Sequence, residues 1–443
     1  MQVSCWIDNI DRNKIPYIKE DDWRYSYPSL TPLNITKEEK ENLFDISNVL
    51  FWAMHKTVKS VRHVNDLFGN LSFIGSKFDC ISNLSRMDFV KDMNGDFRLI
   101  EINSDTPCAI PETFYGNFRF KSKEISLKEK EINKQLAEIF INLCSNDDVI
   151  AFASDPNYKE DWYNTKYLYD NFMEHKPQNV YAILIPLSEL EVFDDGVYVK
   201  NTDQKINILY RLYPTELLIK DKSNDGYPIG MKMIELHNEG KIYLVNPPEA
   251  LIMQDKRIPA MLHYLNDKYC FYSKRESNYI KKYVPFSGLS FEGILNVSSA
   301  DKIIKKPIYG REGSGITIYD RNKNIIEQST VFNENNENVQ YIYEEYIEQT
   351  KSSIMTAENI KLNGYITYSV FLLNGEAVGL YGRFDVNKIC GVEALWLPIC
   401  MTDTKGTITS IKNEFKKYGL KFNQKPNYGI YISGPETGKR KCL

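Results

Sequence analysis

Asp88, Glu101 and Asn103 fall on the two arms of one predicted hairpin, in the stretch Arg86-Met-Asp-Phe-Val-Lys-Asp-Met-Asn-Gly-Asp-Phe-Arg-Leu-Ile-Glu-Ile-Asn103. Asn94-Gly95 marks the turn, because both central residues of a type I′ turn need positive φ. Counting back from that turn sets Asp88 opposite Glu101 and Arg86 opposite Asn103, and the alternation of strand side chains puts these residues on one face. Directly opposed carboxylates repel, so a cation must lie between them. Two acids and an amide oxygen make a hard oxygen site suited to Mg²⁺ and the phosphates it carries. The other reading is a solvated hairpin whose acids point to water.

A second stretch, Ile303-Ile-Lys-Lys-Pro-Ile-Tyr-Gly-Arg-Glu-Gly-Ser-Gly-Ile316, predicts a strand that carries Lys306 into a glycine-rich loop. Gly310, Gly313 and Gly315 let the backbone approach closely, so that N–H groups can cradle phosphate oxygens while Lys306 supplies a point charge. The spacing is neither that of a P-loop nor that of a dinucleotide fingerprint, and a flexible hairpin tip would contain such glycines too. Gly434-Pro-Glu-Thr-Gly438-Lys439 is one residue short of a P-loop and has Arg440 in place of Ser or Thr; it reads as a solvated tail. Tyr341-Ile-Tyr-Glu-Glu-Tyr-Ile347 predicts a strand with acids that could lead to an adenine hinge. Around Asn374-Gly375 a second hairpin puts Gly379, Tyr381 and Arg383 on one face. A guanidinium on a rigid strand is placed to stabilise developing charge; a plain surface arginine is the alternative.

These segments need a frame. Thr36 and Glu39 form a capping box ahead of an apolar helical stripe of Leu43, Ile46, Val49, Leu50, Ala53, Met54, Val61 and Val64. A turn-rich loop from Asp105 to Pro111 leads to a second amphipathic helix through Leu127, Ile132, Leu136, Ile139, Phe140 and Leu143. From 149 to 250, short apolar strands alternate with turns and one helix near 160 to 175, which predicts an α/β unit with parallel strands. Asn246-Pro-Pro248 punctuates its end; a helix from about 255 to 268 and an Asn- and Glu-rich linker over 322 to 338 follow.

With 443 residues, 42% of them hydrophobic, the chain can bury a large core. Its 55 Lys and Arg against 59 acids leave a net charge of -4, so no global basic field argues for nucleic acid. The eight cysteines include no CxxC pair and the five histidines lie apart, which predicts reduced thiols without a zinc site. No signal peptide or membrane-length apolar run is visible, so a cytoplasmic protein without a membrane partner is expected.

Taken together, these segments resemble the glutathionylspermidine synthase family of ATP-grasp ligases, from about residue 80 to 400. The resemblance rests on Arg86-x-Asp88, Glu101-Ile-Asn103-x-Asp105-Thr106, Tyr210-Arg-Leu-Tyr-Pro-x-Glu216, Asn246-Pro-Pro248, Lys256, Lys306-Pro-Ile-x-Gly-Arg-Glu-Gly313 and the strand ending at Arg383. Metal-type residues precede nucleotide-type lysines, which is similar to the rearranged motif order of that family. The chain departs from the pattern at Cys108, where the better-known members have serine, and after Arg383, where the usual threonine is absent.

The family implies an α+β ATP-grasp fold with a pre-ATP-grasp-like α/β substrate unit. The expected division is an N-terminal helical segment with the metal hairpin (1–148), the substrate unit (149–250), an ATP-binding lid (251–345) and the C-terminal part of the core (346–443). ATP with Mg²⁺, two ions expected, would be the cofactors. Asp88, Glu101 and Asn103 are implied as metal ligands. Lys256, Lys306, Gly310, Arg311, Gly313, Ser314, Gly315, Glu344 and Glu345 would line the ATP site. Arg383 and Arg86 are implied as catalytic, with Arg86, Thr106 and Cys108 on the acceptor carboxylate and Glu160 and Asp161 near the amine. Those two acids read equally as a solvated helix N-terminus. The implied reaction is an ADP-forming ligation of a peptide-like carboxylate to an amine, a polyamine among the candidates, through an acyl phosphate. The alternatives are a phosphotransferase of the same fold and a non-catalytic nucleotide-binding module.

Overall fold

In the computed structural model, which describes residues 6–20, 23–61, 80–329 and 339–402 and the backbone of three short strands beyond 420, the first hairpin forms, but not around the expected turn. Its arms are Leu84–Lys91 and Phe97–Asn103. Lys91 pairs with Phe97 and the Asp92 N–H donates to the Asp96 carbonyl, leaving a three-residue loop in which Gly95 alone has positive φ, at 84°. The Asp92 carboxylate favours this loop by accepting from the amides of Asn94 and Asp96, at 2.9 and 3.0 Å. The longer loop slips the register by one residue. An extra residue, Ile100, bulges between Leu99 and Glu101 and restores the pairing of Asp88 with Glu101 and Arg86 with Asn103. The expected pairs are therefore present, while the type I′ turn at Asn94-Gly95 is corrected to a three-residue loop.

The second hairpin, Lys361–Leu373 with Glu376–Asp385, turns as predicted, with Asn374 at φ 48° and Gly375 at 85°. The two hairpins join into one antiparallel sheet, because Leu84–Lys91 pairs with Lys361–Leu373. Its order is Leu395–Leu397, Glu376–Asp385, Lys361–Leu373, Leu84–Lys91, Phe97–Asn103, with Ser352–Met355 also paired to Lys361–Leu373. Leu84–Lys91 is buried along all but its last residue, as a central strand covered on both faces requires.

A parallel sheet in the order Tyr243–Val245, Ile208–Arg211, Val149–Ser154, Tyr181–Pro186 forms where alternating strands were predicted, with the helix Lys159–His175 after the strand Val149–Ser154. Ile150 and Phe152 pack on one side with Phe140, Phe172 and Tyr210; Val149, Ala151 and Ala153 pack on the other with Leu209 and Leu236. This two-sided burial explains the continuous apolar run. A third, antiparallel sheet takes the order Ser287–Gly288, Tyr341–Glu345, Lys302–Pro307, Thr317–Asp320, Ile325–Gln328. The lysine strand and the glycine-rich loop thus form a hairpin.

Buried polar clamps tie the first hairpin to the parallel sheet. The Asn246 side chain accepts from the amides of Asn83 and Leu84 at 2.8 and 2.9 Å and donates to the carbonyls of Leu84 and Asp105 at 2.7 and 2.9 Å. Beside it, Asp105 accepts from Arg211 Nη2 at 2.8 Å and from the Thr215 amide at 2.7 Å, with both charged side chains almost wholly buried.

Asn34–Asn42 and Cys400–Leu443 form a separate unit. It contains the Thr36–Glu39 capping box, with both reciprocal hydrogen bonds made, and a three-stranded antiparallel sheet of Lys421–Gln424, Ile430–Ser433 and Lys441–Cys442. The helix Lys37–Val61 follows the box, and its predicted stripe is buried at Leu43, Ile46, Leu50, Ala53 and Met54. Val64, linker residues 330–338 and the 434–439 segment except for its neighbouring strands lie outside the described residues. Among the described residues no helix is long and apolar enough to cross a membrane.

Because Arg211 is the buried counter-ion of Asp105, Arg211→Met leaves an uncompensated buried carboxylate and destabilises the fold by about 3–5 kcal/mol. Urea denaturation reads this as a lower midpoint; an unchanged midpoint would show that the Thr215 amide and hydroxyl suffice for the carboxylate.

Candidate active site

One face of the antiparallel sheet collects the polar side chains predicted from the hairpins. Ser369 pairs with both Asp88 and Tyr381, and Glu101 lies across Asp88; Arg86, Asn103, Phe371 and Gly379 form the next row, and Arg383 stands opposite Thr367. Directly paired residues project to the same face. A Cβ on Gly379 would come within 2.5 Å of Thr113, so this glycine lets the short π-helical segment Glu112–Gly116 lie on that face.

Guanidinium groups occupy the cationic position beside Asp88. Arg86 Nε and Nη2 donate to its two oxygens at 2.9 Å each, and Arg383 Nη2 donates to Oδ2 at 2.7 Å. Burial alone would raise the Asp88 carboxyl, but Arg86 and Arg383 outweigh it and hold the group below the usual carboxylate range. Asn103 turns its amide nitrogen toward Asp88 at 3.4 Å. Glu101 makes no hydrogen bond or ion pair with the described residues, although Lys256, Arg86 and Arg383 feel its charge. A hard cation therefore fits Glu101, with the Asn103 amide oxygen as a second donor, while the Asp88 oxygens already accept from guanidinium donors.

Beyond Glu101 lies a cleft of about 870 Å³, counting its open mouth. Its charged end is formed by Glu101, Lys306, Glu344 and Arg383, and its apolar walls by Val90, Ile304, Ile316, Ile347 and Ile389. Lys306 Nζ is buried against Glu344 at 2.7 Å and donates to the Ile100 carbonyl at 3.2 Å. Lys256 donates to the Gly310 carbonyl at 3.0 Å; its confined position, which disfavours charge, and nearby Lys306 lower its pKa. In the loop, Gly313 and Gly315 take φ of 73° and 68°, and a Cβ at Gly313 would meet Ile389 at 2.7 Å and the Cys390 carbonyl at 2.9 Å. The amides of Ser314 and Ile316 close the loop's own turns on Arg311 and Gly313, so they are not turned to the cleft. Arg311 pairs with Glu216 at 2.6 Å. Glu345 pairs with Arg98 at 2.8 Å and accepts from Ser298 at 2.7 Å, unlike its neighbour Glu344.

On the other side of Arg86 the acids Glu112, Glu160 and Asp161 come close enough to raise one another's pKa. Arg86 Nη1 donates to the Cys108 carbonyl at 3.0 Å, and Cys108 Sγ approaches Asp161 Oδ1 at 3.7 Å, so the 105–111 loop meets the start of the helix Lys159–His175. Thr106 lies on the same loop, and its carbonyl faces Cys108 Sγ at 3.9 Å. Confinement and neighbouring acids push Asp161 up to about 6, and Glu160, solvent-accessible but recessed, up to about 8. Glu112 was not anticipated from the sequence. It is fully buried, and among the described residues its oxygens make no close hydrogen bond, only looser contacts with phenols. The phenols of Tyr17 and Tyr27 interact with it, and burial above all pushes its carboxyl up to about 7. Nothing in the sequence marked it, because the segment after Pro111 is a π-helix without the apolar period of an α-helix.

This arrangement can be set against known proteins. The family model described as "Glutathionylspermidine synthase preATP-grasp" matches residues 33–402. The chain belongs to that family. All the site residues named above from Arg86 to Arg383 fall within the matched span. A Haemophilus influenzae protein named "Putative acid–amine ligase" is 23% identical over 334 residues, covering 71% of this chain and 73% of that protein. The structure of a glutathione synthetase-like effector from Globodera pallida, in its apo form, is similar with a TM-score of 0.53 at 10% identity, covering 85% of this chain and 90% of that one. At that identity the likeness speaks for a shared fold.

Glu112 sets a pH dependence of stability. Its carboxyl titrates near 7 in the folded chain against an ordinary 4.5, so its contribution is fully present below pH 4.5 and is lost as pH rises through 7. The loss is roughly 3 kcal/mol by pH 8. Glu112→Gln should therefore gain on the native chain by about that amount between pH 4 and pH 8. Urea unfolding at the two pH values checks it; parallel changes in both proteins would mean that the carboxylate has a partner.

Proposed function

We propose that the chain is an ATP-dependent acid–amine ligase of the ATP-grasp type with rearranged motif order. The observation that carries this reading is the partition of the site about Asp88. A cleft lined by Lys306, Arg383 and Glu101, with Lys256 near enough to feel Glu101 and Lys306, lies to one side, and the mutually interacting acids Glu112, Glu160 and Asp161 gather beyond Arg86. The first suits a nucleoside triphosphate and the second a cationic amine, with Arg86 between them for a carboxylate. Family membership and the acid–amine ligase name of the bacterial relative support the same class.

In this reading, the apolar walls of the cleft take the adenine, with the backbone after Glu345 along its edge, and the lysines hold the phosphates. Glu101 and Asn103 would hold Mg²⁺, with Asp88 able to join them only by releasing Arg383. When bound, the metal would neutralise charge on the transferring phosphoryl group. Arg86 orients a substrate carboxylate so that its oxygen attacks the γ-phosphorus of ATP, releasing ADP and leaving an acyl phosphate. Arg383 stabilises charge that develops on the phosphoryl oxygens and then at the tetrahedral carbon. An amine attacks the acyl carbon and inorganic phosphate departs. The Gly310 to Gly315 loop closes over the nucleotide and limits hydrolysis of the acyl phosphate. The substrate classes are a peptide-like carboxylate and an amine, and a polyamine suits the acids beyond Arg86.

ADP release across a matrix of peptides and amines with Mg²⁺, glutathione and spermidine included, should require both an acid and an amine. Arg383→Ala should lower kcat by about 10²- to 10³-fold. Amine-independent ADP release with a phosphorylated product would instead make the chain a phosphotransferase, and no turnover with any pair would leave a binding module.

A further inference from the structure

Among the described residues, the cationic side chains that line the cleft are Lys306, Arg383 and Lys388. The first two are already committed to carboxylates. Lys306 pairs with Glu344 at 2.7 Å and Arg383 with Asp88 at 2.7 Å, while Lys256, close by, donates to the Gly310 carbonyl at 3.0 Å. Lys388 differs: it forms no ion pair among the described residues, and its ammonium lies 5.8 Å from the centroid of the Tyr346 ring. Lys302, its neighbour, is the one paired with Glu348. A half-buried ammonium without a counter-ion keeps its full charge and its donors for a ligand.

The loop that carries Lys388 is fixed from both sides. Asp385, at the end of the strand Glu376–Asp385, accepts from the Asn387 amide at 2.8 Å and from the Gly391 amide at 2.9 Å. Glu327 reaches the same loop from Ile325–Gln328, an edge strand of the sheet that carries Lys306, and accepts from the amides of Lys388 and Ile389 at 3.1 and 3.2 Å. Ile389 is buried with Ile318 and Tyr346 of that sheet, and Gly313 lies against Ile389 and Cys390 because it has no side chain. The backbone that positions Lys388 is thus ordered before any ligand arrives, which lowers the entropic cost of using it.

We infer that Lys388 is a nucleotide-binding residue that donates to the phosphate chain of the ligand in this cleft, and that Glu327 is the positioning residue that holds it there. The inference rests on the nucleotide cleft of the acid–amine ligase reading and adds a contact which that reading does not contain. A triphosphate entering the cleft meets Glu101, Glu344 and Asp385 as well as the cations. Cations that already face a carboxylate attract it less, because the partner's charge offsets theirs at a distance. Lys388 is not offset in this way. The base and ribose of a nucleotide carry no charge near neutrality, so its phosphates are the part that an unpaired ammonium would hold.

The test is calorimetric titration of ATP with MgCl₂ into the full chain, native and substituted. Lys388→Met keeps the apolar stem and loses the charge, and should weaken binding by about 10- to 100-fold. Lys388→Arg keeps the charge, should stay within about threefold of native, and serves as the control for folding. Glu327→Ala should also weaken binding, yet add nothing further in the Lys388→Met background, because the loop's position matters to ATP through Lys388. Native-like binding by Lys388→Met, or equal weakening by Lys388→Met and Lys388→Arg, overturns the assignment of Lys388. Additive losses in the double variant overturn the role of Glu327, since a merely structural carboxylate would act independently of the lysine. Absence of ATP binding by the native chain sinks the ligase reading itself. ATP binding that depends on Lys388, with no ADP release for any acid and amine, sinks the ligation and leaves this inference standing.

Discussion

A carboxylate with no exposed surface, Asp88, is held at the centre of the antiparallel sheet by guanidinium groups from two different strands, and the geometry of the site follows from that contact. Removing an ion from water is unfavourable by several kcal/mol, and the interior offsets it only when charge and hydrogen bonds are both satisfied. Arg86 reaches Asp88 from two residues away on the same strand, whereas Arg383 arrives from the second hairpin, so the pairing of the hairpins is what completes the cluster. With Arg383 drawn to Asp88, Glu101 on the neighbouring strand has no ion-pair partner among the described residues and lines the cleft. The cleft therefore carries both signs, with Glu101 and Glu344 beside Lys306 and Arg383.

A second constraint acts at the other end of the first hairpin. Asn246 satisfies backbone groups of residues 83, 84 and 105 with one side chain, and Arg211 neutralises Asp105 beside it. These contacts are between the parallel sheet and the segments that flank the hairpin. They orient the 105–111 loop, so Cys108 and Thr106 meet the start of the helix Lys159–His175. Glu112, enclosed beside the phenols of Tyr17 and Tyr27, weakens the fold as pH rises through its titration near 7.

Much of the arrangement was legible because strands alternate and turns have specific chemistry. Asn374-Gly375 gave the second hairpin directly, since both residues accept positive φ. For the first hairpin, the pairing of Asp88 with Glu101 was right although the turn was not: Asp92 selected a three-residue loop, and the Ile100 bulge cancelled the slip. A bulge in mid-strand leaves no mark in an alternating pattern. The parallel unit was visible in its apolar runs, while the π-helical segment at Glu112–Gly116 had no period to detect.

The chain's own order of residues determined the local units: which segments turn, which alternate, where the glycines let backbone come close, and which acids, lysines and arginines could share a face. Only the tertiary structure decided which charges neutralise one another. Asp88 and Arg383 are 295 residues apart and meet through sheet pairing, and nothing local to either specifies the other. Burial likewise belongs to the fold, because desolvation depends on all the surrounding atoms; it is burial that pushes the Glu112 carboxyl up to about 7 and makes it distinct from the solvated glutamates of the same sequence.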